Sequence, residues 1–172
     1  MTASASPHLQ TCPGARTGFV FICPGRHEAN RGYPCAAGTG ANLKRVLAVL
    51  HARRPDWFAS ADRLVYVVTN AWPRVEYPAL TGRSVPTEAE VLAPANLARL
   101  AAEVAALDLV VACGAQAQAA VRALAAAGTL RARTVFGRHL SQRSVNMMPG
   151  GSDTPSRIGR WCDDLVSQLG PA

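Results

Sequence analysis

No apolar run in this 172-residue sequence is longer than seven residues. About 18 are needed to cross a bilayer, so no transmembrane helix and no membrane partner are expected. The opening MTASASPHLQ lacks both a basic n-region and an apolar h-region, so no secretory signal is expected. There is no CxxC pair. The five cysteines, Cys12, Cys23, Cys35, Cys113 and Cys162, are odd in number and widely spaced. That pattern signals neither a disulfide framework nor a metal site, and it fits a reducing cytoplasmic setting. Lysine is almost absent: Lys44 is the only one, and the other seventeen bases are arginine. Internal repeats and low-complexity linkers are missing too, so the length is that of one domain.

The bases that are present are unevenly placed. The net charge is +7. A GC-rich coding sequence accounts for arginine over lysine and for the many alanines, but not for the excess of bases over acids. Residues 16–54 carry seven bases against Glu28, and residues 122–160 carry seven against Asp153. Residues 55–121 between them carry four bases against seven acids. If the two basic segments meet in space, they form a surface suited to phosphate; a merely solvated surface is the alternative.

Hydrophobic patterning alternates strand and helix. Residues 1–16 read as an N-terminal arm or an irregular lead-in, and residues 17–172 as the domain. Buried strands are expected over 17–23, 63–69, 108–113 and 132–137, each a short run rich in β-formers. Helical spacing follows in Leu43, Val46, Leu47 and Leu50, stopped by Pro55. A second helix runs from the capping pair Thr87 and Glu90 to about Leu107, with a break possible at Pro94. A third spans 114–127, and a last one is capped by Thr154 and runs to Leu169. Apolar strands alternating with helices imply an α/β domain: a three-layer α/β/α sandwich around a four-stranded, mainly parallel sheet. Three long loops, 24–40, 70–86 and 138–153, leave the carboxyl ends of strands, where open α/β sheets bind ligands. The geometry therefore nominates one site built from all three.

The first loop reads Cys23-Pro24-Gly25-Arg26-His27-Glu28, continues to Gly32-Tyr33-Pro34-Cys35, and reaches Gly38-Thr39-Gly40. The GxxxxGK[ST] spacing of a phosphate loop is missing. Pro24, Gly25, Glu28, Gly32, Pro34 and Gly40 instead resemble the first motif of the uracil-DNA glycosylase superfamily, in the spacing of its iron–sulfur branch. Val67-Val68-Thr69-Asn70 resembles the family's second strand, which ends in a base-reading Asn. Residues 83–90, RSVPTEAE, resemble its R-x-P-T-x-x-E approach to the next helix, and Val110 to Ala115 its third strand and turn. His139-Leu140-Ser141-Gln142-Arg143-Ser144 resembles its second signature, H-P-S-x-L-S and variants. The likeness covers about residues 17–169.

The resemblance implies excision of uracil or another deaminated base from single- or double-stranded DNA by a monomeric N-glycosylase. Such an enzyme takes the base out of the stack, stabilises the negative charge on the departing ring and directs a water at the sugar. By the same resemblance, His139 donates to the base oxygen and Glu28 orients or deprotonates the water. Asn70 binds the base edge with both donor and acceptor, and Tyr33, Cys35 and Cys23 line the base pocket. Arg143 fills the gap left by the flipped base, and the backbone around Gly25, Arg26 and Ser141 grips phosphates. The sequence also departs from the family. Cys23 stands where one branch has its water-activating Asp, and Ile22 where the iron–sulfur branch has Glu. Water activation then falls to Glu28, His27 or Asn30. The four cluster-binding cysteines are absent, so no cofactor is expected. Three functions stay open: a DNA glycosylase, a glycosidase of free nucleosides or nucleotides, and a binding protein that has lost turnover.

Overall fold

The computed structural model describes residues 5–171. One mixed sheet holds six strands: β1 (Ala5–Ser6), β2 (Leu9–Gln10), β3 (Thr17–Phe21), β4 (Val67–Asn70), β5 (Leu109–Cys113) and β6 (Arg133–Gly137). Their spatial order is β1-β2-β4-β3-β5-β6. The last four run parallel, whereas β1 and β2 are antiparallel additions at the β4 edge.

The four-stranded expectation is thus corrected by the arm, which is not irregular over residues 5–10. Leu9 lies opposite Thr69 and Gln10 opposite Val68. Gln10 is 3% exposed, and its side chain donates to Arg63 O and Tyr66 O. Two-residue strands carry no readable period, so only the open edge of β4 betrays them.

Eight helices occur among the described residues: α1 (Arg26–Arg31), α2 (Gly38–Arg53), α3 (Pro78–Thr81), α4 (Glu88–Val91), α5 (Pro94–Val104), α6 (Ala115–Ala126), α7 (Gln142–Asn146) and α8 (Thr154–Leu169). Alternation along the strands divides the core between the two faces of the sheet. Phe19, Phe21, Val68, Leu109 and Val111 join Leu43, Leu47 and Leu50 of α2 and Trp161 and Leu165 of α8. Val20, Val110 and Ala112 join Val91 of α4, Leu100 and Val104 of α5, and Val121 and Leu124 of α6. Among the described residues no helix is long and apolar enough to cross a membrane, and all five cysteines are free.

Several boundaries move for local reasons. Asp62 accepts a bond from Leu64 N–H and winds Arg63–Val65 into a 3-10 turn, so the strand expected from 63 starts at Val67. The helix capped by Thr87 and Glu90 stops at Val91, and α5 restarts at Pro94, whose ring and missing N–H forbid a continuous ladder. Asp153 rather than Thr154 caps α8, accepting from Ser156 N–H. The three long loops contain the short helices α1, α3 and α7.

Candidate functional site

β3 and β4 end side by side, with Phe21 opposite Asn70. The two chains then stay paired: Ala71 N–H donates to Phe21 O, Trp72 N–H to Ile22 O and Glu76 N–H to Pro24 O. Between these segments and the start of the loop after β6 lies a cavity of about 180 Å³. Phe21, Cys23, Gly25, Glu28, Cys35, Thr39, Asn70 and His139 line it. Pockets for drug-sized ligands run from about 300 to 1,000 Å³, so this one suits a single small ring.

His139 is fixed from every side. Trp161 Nε1 donates to Arg138 O at 3.0 Å, and the buried Asn42 Nδ2 donates to Leu140 O at 2.9 Å. Gly114, at φ +97°, lies so near that a Cβ there would stand 2.8 Å from Ile22 and 3.2 Å from His139 Cβ. Phe21 meets the imidazole edge-on, with ring centres 5.7 Å apart. Ser141 N–H donates to His139 Nδ1 at 3.0 Å, so Nδ1 is an acceptor and carries no proton. Burial lowers the pKa to about 4, against the pull of Glu28. At neutral pH the ring is therefore uncharged with its proton on Nε2, which bonds to no described residue.

Asn70 supplies the opposite polarity. Its Nδ2 donates to His8 O at 3.1 Å, and its own carbonyl accepts from Arg99 at 3.0 Å. One of the two N–H groups of this amide is thus engaged by the arm. Oδ1 accepts from no described residue and is not sealed from the cavity. The cavity is offered an acceptor at Asn70 and a donor at His139.

Glu28 lines the cavity as expected, but it is not a free base. Its Oε2 accepts from Gly25 N–H and its Oε1 from Ala36 N–H, each at 2.9 Å. The carboxylate ties the two ends of the first loop together, and Gly25 N–H is not available to a phosphate. His27 and Asn30 are exposed on α1, away from the cavity lining. Cys23 and Cys35 are on the wall. Burial, aided by Glu76 and Glu28, pushes the Cys23 thiol up to about 12, and burial raises Cys35 further. Both are thiols, not thiolates, at neutral pH.

Cys35 holds a left-handed backbone, φ +54°, which a side chain disfavours. Arg63 keeps it there by donating to Pro34 O at 2.6 Å and Cys35 O at 2.8 Å. Gly40 packs so close that a Cβ would lie 2.0 Å from Cys35 O. Tyr33 is not on the cavity wall. Arg63 covers its ring at 5.3 Å, and it faces a separate cleft of about 650 Å³ shared with Lys44 and Leu64. Cys35 lines both, so the segment 33–36 partitions them.

The expected phosphate contacts are rearranged. Ser141 caps α7 through Oγ and gives its N–H to His139, so neither grips a phosphate. Arg26 lies over the Tyr77 ring at 5.2 Å, and Arg143 is exposed on α7 outside the cavity. With Arg74 and Arg138, these arginines stand exposed on the three site loops and enter no ion pair among the described residues. Arg83, by contrast, bonds Glu76 and Glu90, and Trp72 Nε1 also donates to Glu76. That pairing holds the Glu76 carboxyl down to about 2 and braces the wall behind Cys23.

Phe21, Thr39, Asn42, His8 and Arg63 escaped the sequence reading. Period two from Phe19 was the available signal for Phe21, and an Asn on the apolar stripe of α2 was the signal for Asn42. No group of three His, Cys, Asp or Glu that could hold a metal occurs among the described residues. Neither a protein-family model nor a curated protein sequence matches this chain.

Proposed function

We propose that the chain is a slow DNA glycosylase for uracil or another deaminated base, built as a glycosylase-like three-layer domain around its four parallel strands. One observation carries this reading. The unprotonated Nδ1 of a half-buried, neutral His139 leaves an Nε2–H donor at the same small cavity as the open Oδ1 of Asn70. A donor and an acceptor at one ring-sized cavity complement an imino N–H beside a carbonyl. Uracil and hypoxanthine present that edge, whereas cytosine and adenine present a bare ring nitrogen in its place.

The chemistry follows from the same two groups. As the glycosidic bond breaks, negative charge grows on the base carbonyl. A neutral imidazole N–H already aimed there stabilises it without reorganisation. Phe21 gives the ring an apolar wall. Five exposed arginines on the site loops that enter no ion pair among the described residues, Arg26, Arg31, Arg74, Arg138 and Arg143, supply the positive surface that a backbone of phosphates requires. Glu28 keeps one lone pair on each oxygen to orient a water, but it is pinned, and Cys23 is a neutral thiol. Weak water activation makes turnover slow.

Those last two facts favour a second reading, a base-binding protein without turnover. Duplex and single-stranded oligonucleotides carrying uracil, hypoxanthine or a thymine mismatch, cleaved by alkali at abasic sites, separate the two. Strand scission dependent on His139 supports the glycosylase. Salt-sensitive binding without scission supports the binding protein, and release from free nucleosides alone sinks the DNA reading.

A further inference from the structure

The N-terminal arm reaches the cavity through one bond. The carbonyl of His8 accepts from Asn70 Nδ2 at 3.1 Å. An amide has two ends of similar shape and opposite hydrogen-bonding sense. If Asn70 turned over, Oδ1 would face the His8 carbonyl, acceptor against acceptor. With the arm docked, only one orientation is allowed, and it leaves Oδ1 as the atom open to the cavity. Without the arm no described residue enforces that choice, because the bond from Arg99 is to the Asn70 backbone carbonyl.

Docking of the arm is itself built by several elements. β2 pairs with β4 one and two residues before Asn70. His8 Nε2 meets Glu103 Oε1 at 3.4 Å, and Ser6 Oγ contacts His8 Nδ1 at 3.2 Å. Glu103, on α5, also accepts from Thr69 Oγ1 and Arg99 Nη1. One carboxylate therefore binds the arm, the end of β4 and the arginine that holds the Asn70 backbone.

We propose that the arm, residues 5–10, is the specificity-determining element of this cavity: by fixing the Asn70 amide through the His8 carbonyl it selects rings that present an imino N–H and rejects those that present a bare nitrogen. His8 and Glu103 are positioning residues, acting through Asn70. The inference rests on the base-binding reading of the cavity.

Two variants test it. The first is a chain that begins at Thr11, compared with wild type by titration with free uracil and free cytosine. The uracil-over-cytosine ratio should fall about tenfold, the worth of one hydrogen bond, because a freed amide accepts either ring. Glu103→Gln, which only loosens the arm, should fall part of the way. A folded shortened chain with an unchanged ratio, or with equal weakening of both bases, overturns the inference and leaves the cavity reading standing. A wild type that binds neither base overturns both. The second variant, Asn70→Asp, works even if the shortened chain does not fold. It sets a carboxylate oxygen against the His8 carbonyl, so the amides of Leu9 and Gln10 should exchange with deuterium at least about tenfold faster. Unchanged protection overturns the inference.

Discussion

The two edges of the sheet use their polar groups in opposite ways. At the amino-terminal edge, polar groups satisfy one another. Arg16 pairs with Asp108 at 2.5 Å, Thr17 Oγ1 donates to Trp57 O at 2.7 Å, and Arg54 bonds both Asp56 and Gly170 O. At the carboxyl-terminal edge, His139 Nε2 and Asn70 Oδ1 have no described partner, Cys35 holds a left-handed backbone, and five exposed arginines enter no ion pair among the described residues. Groups left open in this way lower stability and are free to meet a ligand. The contrast marks the carboxyl-terminal edge as the candidate site.

Substitution at each edge should therefore report different losses. The largest is expected from His139→Ala: base release should fall about 10²–10³-fold, the usual cost of one donor to a developing oxyanion. Its melting temperature at pH 7 should stay level or fall, since the ring is uncharged there in both states and the variant loses the bond from Ser141 N–H and the contact with Phe21. A variant with wild-type release removes His139 from the chemistry.

Acid should act first at the same edge. His139 is lowered to about 4 from an ordinary 6.5, so the unfolded chain takes up its proton first. Stability is then lost as pH falls from 6.5 to 4, by about 3 kcal/mol at most. Protonation also puts a hydrogen on Nδ1, opposing Ser141 N–H. Glu76 works in a lower window: held to about 2 by Arg83, it contributes stability above 4.5 that disappears as pH falls to 2. Denaturant titrations across pH should show both steps. His139→Gln should remove the upper one, and its persistence in that variant would assign it elsewhere.

What the sequence disclosed, and what it hid, follows the same division. Phe19, Val20 and Phe21 alternate between faces, and Ile158, Trp161, Leu165 and Leu169 repeat at helical spacing, so β3 and α8 were legible. Asn70, which closes β4, and His139, two residues past β6, were placeable too, because both stand where loops leave one sheet edge. Their hydrogen-bonding senses were not. Those depend on Ser141 N–H and His8 O, and backbone groups leave no mark in a sequence. Nor does the sequence mark that Gly25 N–H and Ala36 N–H hold the two oxygens of Glu28, expected to orient or deprotonate the water. Tyr33 lies off this cavity, under the Arg63 guanidinium and against the separate cleft, a contact with a residue thirty positions away that no local pattern announces.

Smaller effects sharpen the contrast. Arg54→Ala removes the donor from Asp56 and Gly170 O at the amino edge; stability should drop about 1–3 kcal/mol while base release is unchanged. Gly40→Ala should lower stability by a similar 1–3 kcal/mol, because its Cβ meets a backbone oxygen rather than a side chain that can yield. Here base release should fall as well, since Cys35 must move. A Gly40→Ala variant that melts early yet releases base normally would separate the partition from the site.

The smallest expected effect is a gain. Cys23→Asp places a carboxylate on the cavity wall where the chain has only a thiol. The surroundings that push this thiol up to about 12, burial first, then Glu76 and Glu28, act on any acid there. An Asp should titrate above its ordinary value of about 3.9, and Arg83, the one nearby charge of opposite sign, only partly offsets this. Base release should therefore rise by about tenfold at pH 7, well short of the 10²–10⁴ of a well-placed base. The gain should grow with pH as the carboxyl ionises, tracing an acid limb that wild type lacks. Release measured from pH 5 to 9 on a uracil-containing oligonucleotide checks both points. A folded variant that is inert throughout, beside an inert wild type, would turn the choice to the binding protein. A gain already complete at pH 5 would show instead that the carboxylate has escaped into water, where it activates nothing on the cavity wall.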